Sequence, residues 1–272
     1  MHIVVCVKQV PDTMEVRIDP KTNTLVRAGV PSIINPYDIH AVEEAMRLKE
    51  KFGASVTAIT MGPPQAEEVL RKAISFGVDK AILLSDRAFA GSDTLATSYV
   101  LAQAIRKLSE EQPVDLVLCG KQAIDGDTAQ VGPGIATRLN IPQLTYVMKI
   151  DYLDLEKREI QVQRKLEGER EIVKATLPAL LTVTKDINEL RYASFPNLLR
   201  AARYRPLLWN KESLLLEEGR LGIKGSPTAV RRIFAPPERE GGEIIPGGMD
   251  NPEKAAAELV DKLITTKIIA DR

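Results

Sequence analysis

Histidine is nearly absent from this sequence: His2 and His40 are the two among 272 residues, and they stand far apart. That scarcity argues against a histidine-built metal site and against the general acid–base chemistry that most often relies on imidazole. Cysteine is as rare. Cys6 and Cys119 sit singly inside apolar, strand-like runs, which reads as two small buried hydrophobes rather than a disulfide framework or a zinc cluster. No stretch reaches the roughly 18 consecutive apolar residues a membrane span requires. The opening run MHIVVCVKQV is also too short for a signal peptide, so the expected location is the cytoplasm, or an organelle matrix after processing. Excess charge of either sign is missing too. Lys plus Arg (37) equals Asp plus Glu (37), so no global field favours nucleic acid or a membrane surface.

What is present is the composition of an ordinary globular chain, 44% apolar and 27% charged, long enough to bury a full core. Apolar β-rich runs (residues 2–7, 54–61, 81–84 and 114–119) alternate with amphipathic helical patterns (38–52, 65–76 and 93–108). Continuous apolar strands interleaved with helices predict a doubly wound, mostly parallel α/β sheet of the Rossmann-like, adenine-nucleotide-binding kind. Asn35 and Pro36 ahead of Asp38 read as an Asx cap with a proline at the helix start. From about Tyr146, residues 157–163, 169–174 and 178–184 read as strands without helices between them, a small antiparallel addition. The expected division is an α/β nucleotide-binding domain over 1–203 and a C-terminal arm over 204–272. Within that arm, 235–252 has linker composition and 252–264 a helix capped by Asn251.

In doubly wound sheets ligands bind beyond the carboxyl ends of strands, where the winding reverses. The run ending Cys6-Val7-Lys8 and the one ending Cys119-Gly120 are natural neighbours of such a crevice. The second continues as Lys121-Gln122-Ala123-Ile124-Asp125-Gly126-Asp127-Thr128-Ala129-Gln130-Val131-Gly132. Gly120 and Gly126 permit unusual dihedrals, and Asp127 or Thr128 could cap a helix whose free N–H groups face a phosphate. A capped βα loop without a ligand fits the same pattern. Asp93-Thr94-Leu95-Ala96-Thr97 opens a helix with two hydroxyls on one side, suited to a pyrophosphate or incidental to capping. Asn188-Glu189-Leu190-Arg191-Tyr192-Ala193-Ser194-Phe195-Pro196-Asn197-Leu198-Leu199-Arg200 combines apolar residues with flanking charge. It is either a docking loop or a loop closing over the chain's own core.

These segments, with Asn35-Pro36-Tyr37-Asp38 and Val42-Glu43-Glu44-Ala45, resemble the electron-transfer flavoprotein β subunit from the first strand to about Arg203. GKQAID and RYASFPN, each after an apolar strand, carry most of the specificity. The resemblance implies an obligate heterodimer with an α subunit that holds an electron-carrying FAD. In one branch the β subunit buries AMP among residues matching Cys6, Asn35, Pro36, Tyr37, Asp38, Met61 and Gly120 to Val131. In a second branch, whose pattern Asp93 to Thr97 and Gly126 to Pro133 follow, FAD replaces AMP and accepts hydride from NADH. Its electrons are then bifurcated, one to the α-subunit flavin and an acyl-CoA dehydrogenase, the other to a low-potential acceptor such as ferredoxin. Thr94 and Thr97 would contact the FAD diphosphate. The loop carrying Arg191, Tyr192, Phe195, Pro196, Leu198 and Arg200 matches the segment that docks dehydrogenases, with Phe195 where the family commonly has leucine. Adenylating enzymes share this sheet type but need an HxGH turn or PP-loop after the first strand. Here that position reads Val7-Lys8-Gln9-Val10-Pro11-Asp12. A third reading is a purely structural nucleotide-binding module that docks dehydrogenases without NADH-linked flavin reduction.

Overall fold

A computed structural model describes residues 1–12, 18–19, 24–25, 31–230 and 241–269. In chain order, β1 (His2–Cys6) leads through the short strands β2 (Gln9–Pro11), β3 (Ile18–Asp19), β4 (Thr24–Leu25) and β5 (Ser32–Ile34) to α1 (Asp38–Phe52). Then come β6 (Ser55–Met61), α2 (Glu67–Phe76), β7 (Lys80–Leu84), α3 (Thr94–Glu111), β8 (Leu116–Gly120) and α4 (Val131–Leu139). A strand-rich stretch follows with β9 (Gln143–Asp154), β10 (Glu159–Lys165), β11 (Arg170–Thr176) and β12 (Ala179–Val183). The chain continues into α5 (Phe195–Arg203), β13 (Leu207–Trp209) and α6 (Pro252–Thr265).

Nine strands form one sheet in the order β11-β10-β9-β12-β8-β1-β6-β7-β13. The doubly wound, mostly parallel expectation holds. β1 shows why: Ile3, Val5 and Val7 pack into the layer with α1 and α2, while Val4 and Cys6 pack into the layer with α3 and α4. A strand buried on both faces has no polar face, so it reads as an uninterrupted apolar run. From β1 the chain moves outward to β6 and β7, then returns across the sheet to β8 on the other side of β1. The winding therefore reverses between β1 and β8.

One expectation is corrected. Residues 178–184 do not belong to the antiparallel addition: β12 pairs in parallel with both β8 and β9 inside the main sheet. All five of its residues are buried, the signature of a central strand. The antiparallel part is β9-β10-β11. The chain forms two compact units, Met1–Ile233 and Phe234–Arg272, and β13 joins the sheet beside β7. Residues after β13 stay on this first unit: the Glu217 amide donates to the Tyr99 hydroxyl at 3.2 Å, and Arg220 stacks 4.0 Å from the Tyr99 ring. In the second unit, α6 forms as expected, its Asn251 side chain accepting from Lys254 N at 3.2 Å. Residues 235–240 of the expected linker lie outside the described residues. No described helix is long and apolar enough to cross a membrane.

Candidate functional site

At the reversal point the carboxyl ends of β8, β1, β6 and β7 border a cleft of about 860 Å³. Asp38, the first residue of α1, forms its floor. One carboxylate oxygen accepts from Lys8 N, just past β1, at 2.7 Å. The other accepts from Gly120 N, at the end of β8, at 3.1 Å and from the Asn35 amide at 2.9 Å. A helix start thus ties together the two strand ends between which the winding reverses. Burial pushes the Asp38 carboxyl up to about 7, against the opposing pull of these three hydrogen bonds and of the Lys8 charge.

Asn35 is not the helix cap its sequence context predicts; Tyr37 occupies that position and no side chain caps it. Asn35 instead spends its amide across the crevice, donating to the Gln122 carbonyl at 2.8 Å and accepting from Ile124 N at 3.3 Å. It works as a clamp on the loop after β8. The same loop is held by Lys8, whose ammonium donates to Asp125 at 2.7 Å, by Gln122 to Asp127 at 2.7 Å, and by Thr94 to Gln130 at 2.9 Å. Its left-handed residues are Asp127 (φ 48°) and Ala129 (φ 54°), not the glycines. Each such backbone costs about 1–3 kcal/mol unless the surroundings hold it, and these clamps do so.

Neither Asp127 nor Thr128 caps the next helix. α4 begins after Gln130, with no side-chain cap. Val131 and Gly132, its first residues, line the cleft and no side chain caps them, and Pro133 falls in the first turn, where a missing N–H costs nothing. At α3 the opposite holds. The Asp93 carboxylate accepts from Leu95 N at 2.9 Å and Ala96 N at 3.1 Å, and its second oxygen accepts from the Thr228 hydroxyl at 2.8 Å. An anion therefore finds uncapped amides at α4 and the Thr97 hydroxyl at α3, whereas the Thr94 hydroxyl must first release its proton from Gln130 to donate to it.

Of the expected cofactor residues, Cys6, Asp38, Met61, Asp93, Thr94, Thr97, Gly120, Lys121, Gln122, Ala123 and Gly126 to Val131 border the cleft. Asn35, Pro36, Tyr37 and Asp125 do not; Asn35 and Asp125 brace its loop from behind. Tyr37 faces a second cavity of about 580 Å³ with Tyr146, Lys185 and Lys121, and Lys121 lines both. There Lys121 lies 4.8 Å from the Tyr146 ring and Lys185 lies 5.2 Å from that of Tyr37. Ser85, Asp86, Arg87, Phe89 and Ala90, after β7, also border the cleft, though no local pattern marks them. The signal was available, since every parallel strand beside the reversal ends on that side.

The segment from Asn188 to Arg200, expected to dock a partner, is part tether and part display. Arg191 is not free: its guanidinium donates to Glu43 at 2.8 Å and to Glu50, both on α1, and these carboxylates hold it protonated well above its ordinary value. Arg200 donates to the Asp79 carbonyl at 2.7 Å. Between them Ser194 caps α5, and Tyr192 (99% exposed), Phe195 (72%), Pro196 and Leu198 stand outward. The other side of α5 packs along α2, with Ala201 buried in the core.

The profile of the electron transfer flavoprotein domain matches residues 22–205. Protein FixA of Azotobacter vinelandii is 52% identical over 267 residues, covering 97% of this chain and 95% of its own. Two proteins named electron transfer flavoprotein subunit beta are also similar. The one from Megasphaera elsdenii is 46% identical, covering 99% of this chain and 100% of its own. The one from Thermoanaerobacterium thermosaccharolyticum is 48% identical with the same coverage.

Proposed function

The chain belongs to the electron transfer flavoprotein family, and we propose that it is the β-type subunit of a heterodimer that holds FAD in the cleft beyond β1 and β8. The observation that carries this reading is the size of the cleft. At about 860 Å³, bordered by the ends of four adjacent strands, it lies at the upper end of ordinary ligand pockets and leaves room for a dinucleotide. Bound there, FAD would supply the two-electron acceptor for NADH and pass electrons singly, one toward the α-subunit flavin and an acyl-CoA dehydrogenase-type partner, the other toward a low-potential acceptor such as ferredoxin. The chain's own part is placement. Bare amides at α4 and hydroxyls at α3 receive the diphosphate, the clamped loop after β8 fixes one wall, and α6 docks on the partner subunit.

The second reading is a non-bifurcating carrier with a structural AMP in the same cleft, favoured by the clamps that make the loop after β8 a rigid pocket. Nucleotides released from the purified heterodimer distinguish the two. Two FAD per heterodimer are expected; one FAD with one AMP would establish the second reading instead.

Thr94→Ala is expected to weaken nucleotide retention by about 1 kcal/mol, roughly fivefold, the scale of one hydrogen bond. Equal dissociation constants for the variant and the unaltered protein would remove Thr94 from the diphosphate site. Phe195→Ala is expected to raise the KM for the partner dehydrogenase roughly thirtyfold, the about 2 kcal/mol of an aromatic anchor. Stability should move by less than about 0.5 kcal/mol, because the ring is exposed. Steady-state kinetics beside a melting curve tests this, and an unchanged KM would move docking elsewhere.

A further inference from the structure

Cys6 and Cys119 are register partners on the adjacent parallel strands β1 and β8, so both side chains leave the same face of the sheet. Both are free, and both border the cleft, with 8% and 6% of their surface exposed. Cys6 is among the expected cofactor residues, yet none of the clamps around the cleft engages either sulfur. The backbone decides what two such thiols can do. Neighbouring strands lie about 4.8 Å apart, whereas a relaxed disulfide wants Cβ atoms roughly 3.5–4.5 Å apart. Strand spacing therefore opposes direct closure, while a single bridging atom with a bond to each sulfur spans the gap. We propose that Cys6 and Cys119 form a paired-thiol site in the floor of the cleft, which takes one soft thiophilic centre through both sulfurs, a trivalent arsenical being its simplest representative.

The chemistry fits neutral thiols. The neighbouring Cys6 thiol and burial push the Cys119 thiol well above its ordinary value, so thiolate attack and oxidation there are suppressed. An arsenoxide needs neither an oxidant nor a preformed thiolate. Two S–H bonds and the As–O bond break, two As–S bonds form, and one water leaves with both protons. Soft centres of this kind select sulfur over the oxygen and nitrogen donors around the cleft. A pair that served packing alone would react only as the chain unfolds, at a rate indifferent to what fills the cleft.

The test uses full-length protein purified with its partner subunit, treated with phenylarsine oxide and followed by chain-resolved mass spectrometry. One adduct on this chain is expected, stable to excess monothiol and reversed by a dithiol. Cys6→Ser and Cys119→Ser should each abolish it, with the Ala variants as a check on folding. Protein retaining its nucleotide should react at least tenfold more slowly than protein stripped with charcoal. No adduct on stripped protein would overturn the proposal, as would one that survives loss of either cysteine or ignores a bound nucleotide. Protein that carries no nucleotide as purified, yet is captured through both sulfurs, would support the paired-thiol site while refuting the proposed function.

Discussion

Asp38→Asn is expected to flatten the pH dependence of stability between about pH 4 and pH 7. In the folded chain burial holds this carboxyl near 7, and in the unfolded chain it titrates near its ordinary 3.8. Between those values the folded state carries a proton that the unfolded state has lost. Its contribution is then complete below 3.8, fades as pH rises, and is gone above about 7. The shift corresponds to about 4 kcal/mol at most across the window. Asparagine carries no proton to lose, so the difference between unaltered and variant unfolding free energies should decline steadily from pH 4 to pH 7. Asp38→Ala should act differently. It leaves Lys8 N, Gly120 N and the Asn35 amide without their acceptor, which at pH 5 costs about 3 kcal/mol or more. Urea titrations at four pH values separate the effects, and parallel curves for Asn and Asp at position 38 would show that the carboxyl is not held neutral.

Gly120→Ala is expected to be as damaging by a different route. A methyl group there would overlap the Asp38 carboxylate and sit 2.7 Å from Tyr37 Cβ and 2.8 Å from the Asp38 amide. The last two belong to the start of α1, which is backbone-bound and cannot swing aside. The strand end and the helix start must separate, breaking the Gly120–Asp38 hydrogen bond and opening the floor of the cleft. A loss of about 3 kcal/mol follows, at the upper end of ordinary overpacking, together with release of the nucleotide proposed for the cleft. A variant that melts normally and keeps its nucleotide would mean that α1 and β8 can part at little cost.

The two substitutions also mark where sequence reading stops. Strands such as Ala179–Val183 and His2–Cys6 announce burial on both faces through composition, and a capped helix such as α6 announces both its ends. Gln143–Asp154 did not announce itself, because burial alternates irregularly along it and Tyr146 interrupts it with a φ of 59°. Asn35 misled for a related reason. Asparagine before a helix ordinarily caps it, and only the fold reveals that Gln122 and Ile124 lie within reach of its amide. The neighbours Cys6 and Cys119 are 113 positions apart in sequence and meet through strand register, which no local pattern encodes. GKQAID and RYASFPN were legible as motifs. That Arg191 is tied to α1 while Phe195 faces outward was not.

One rod of secondary structure serves both ends of the molecule's business. α1 starts at Asp38 in the floor of the cleft, and five and twelve residues later presents Glu43 and Glu50 to Arg191, about 8 and 18 Å along its axis. Tilting or sliding this helix at its start must carry the tether of Tyr192 and Phe195 with it. A lineage that remodels its cleft therefore inherits a displaced outer face, so the cleft and the surface carrying Tyr192 and Phe195 are mechanically yoked rather than free to drift apart.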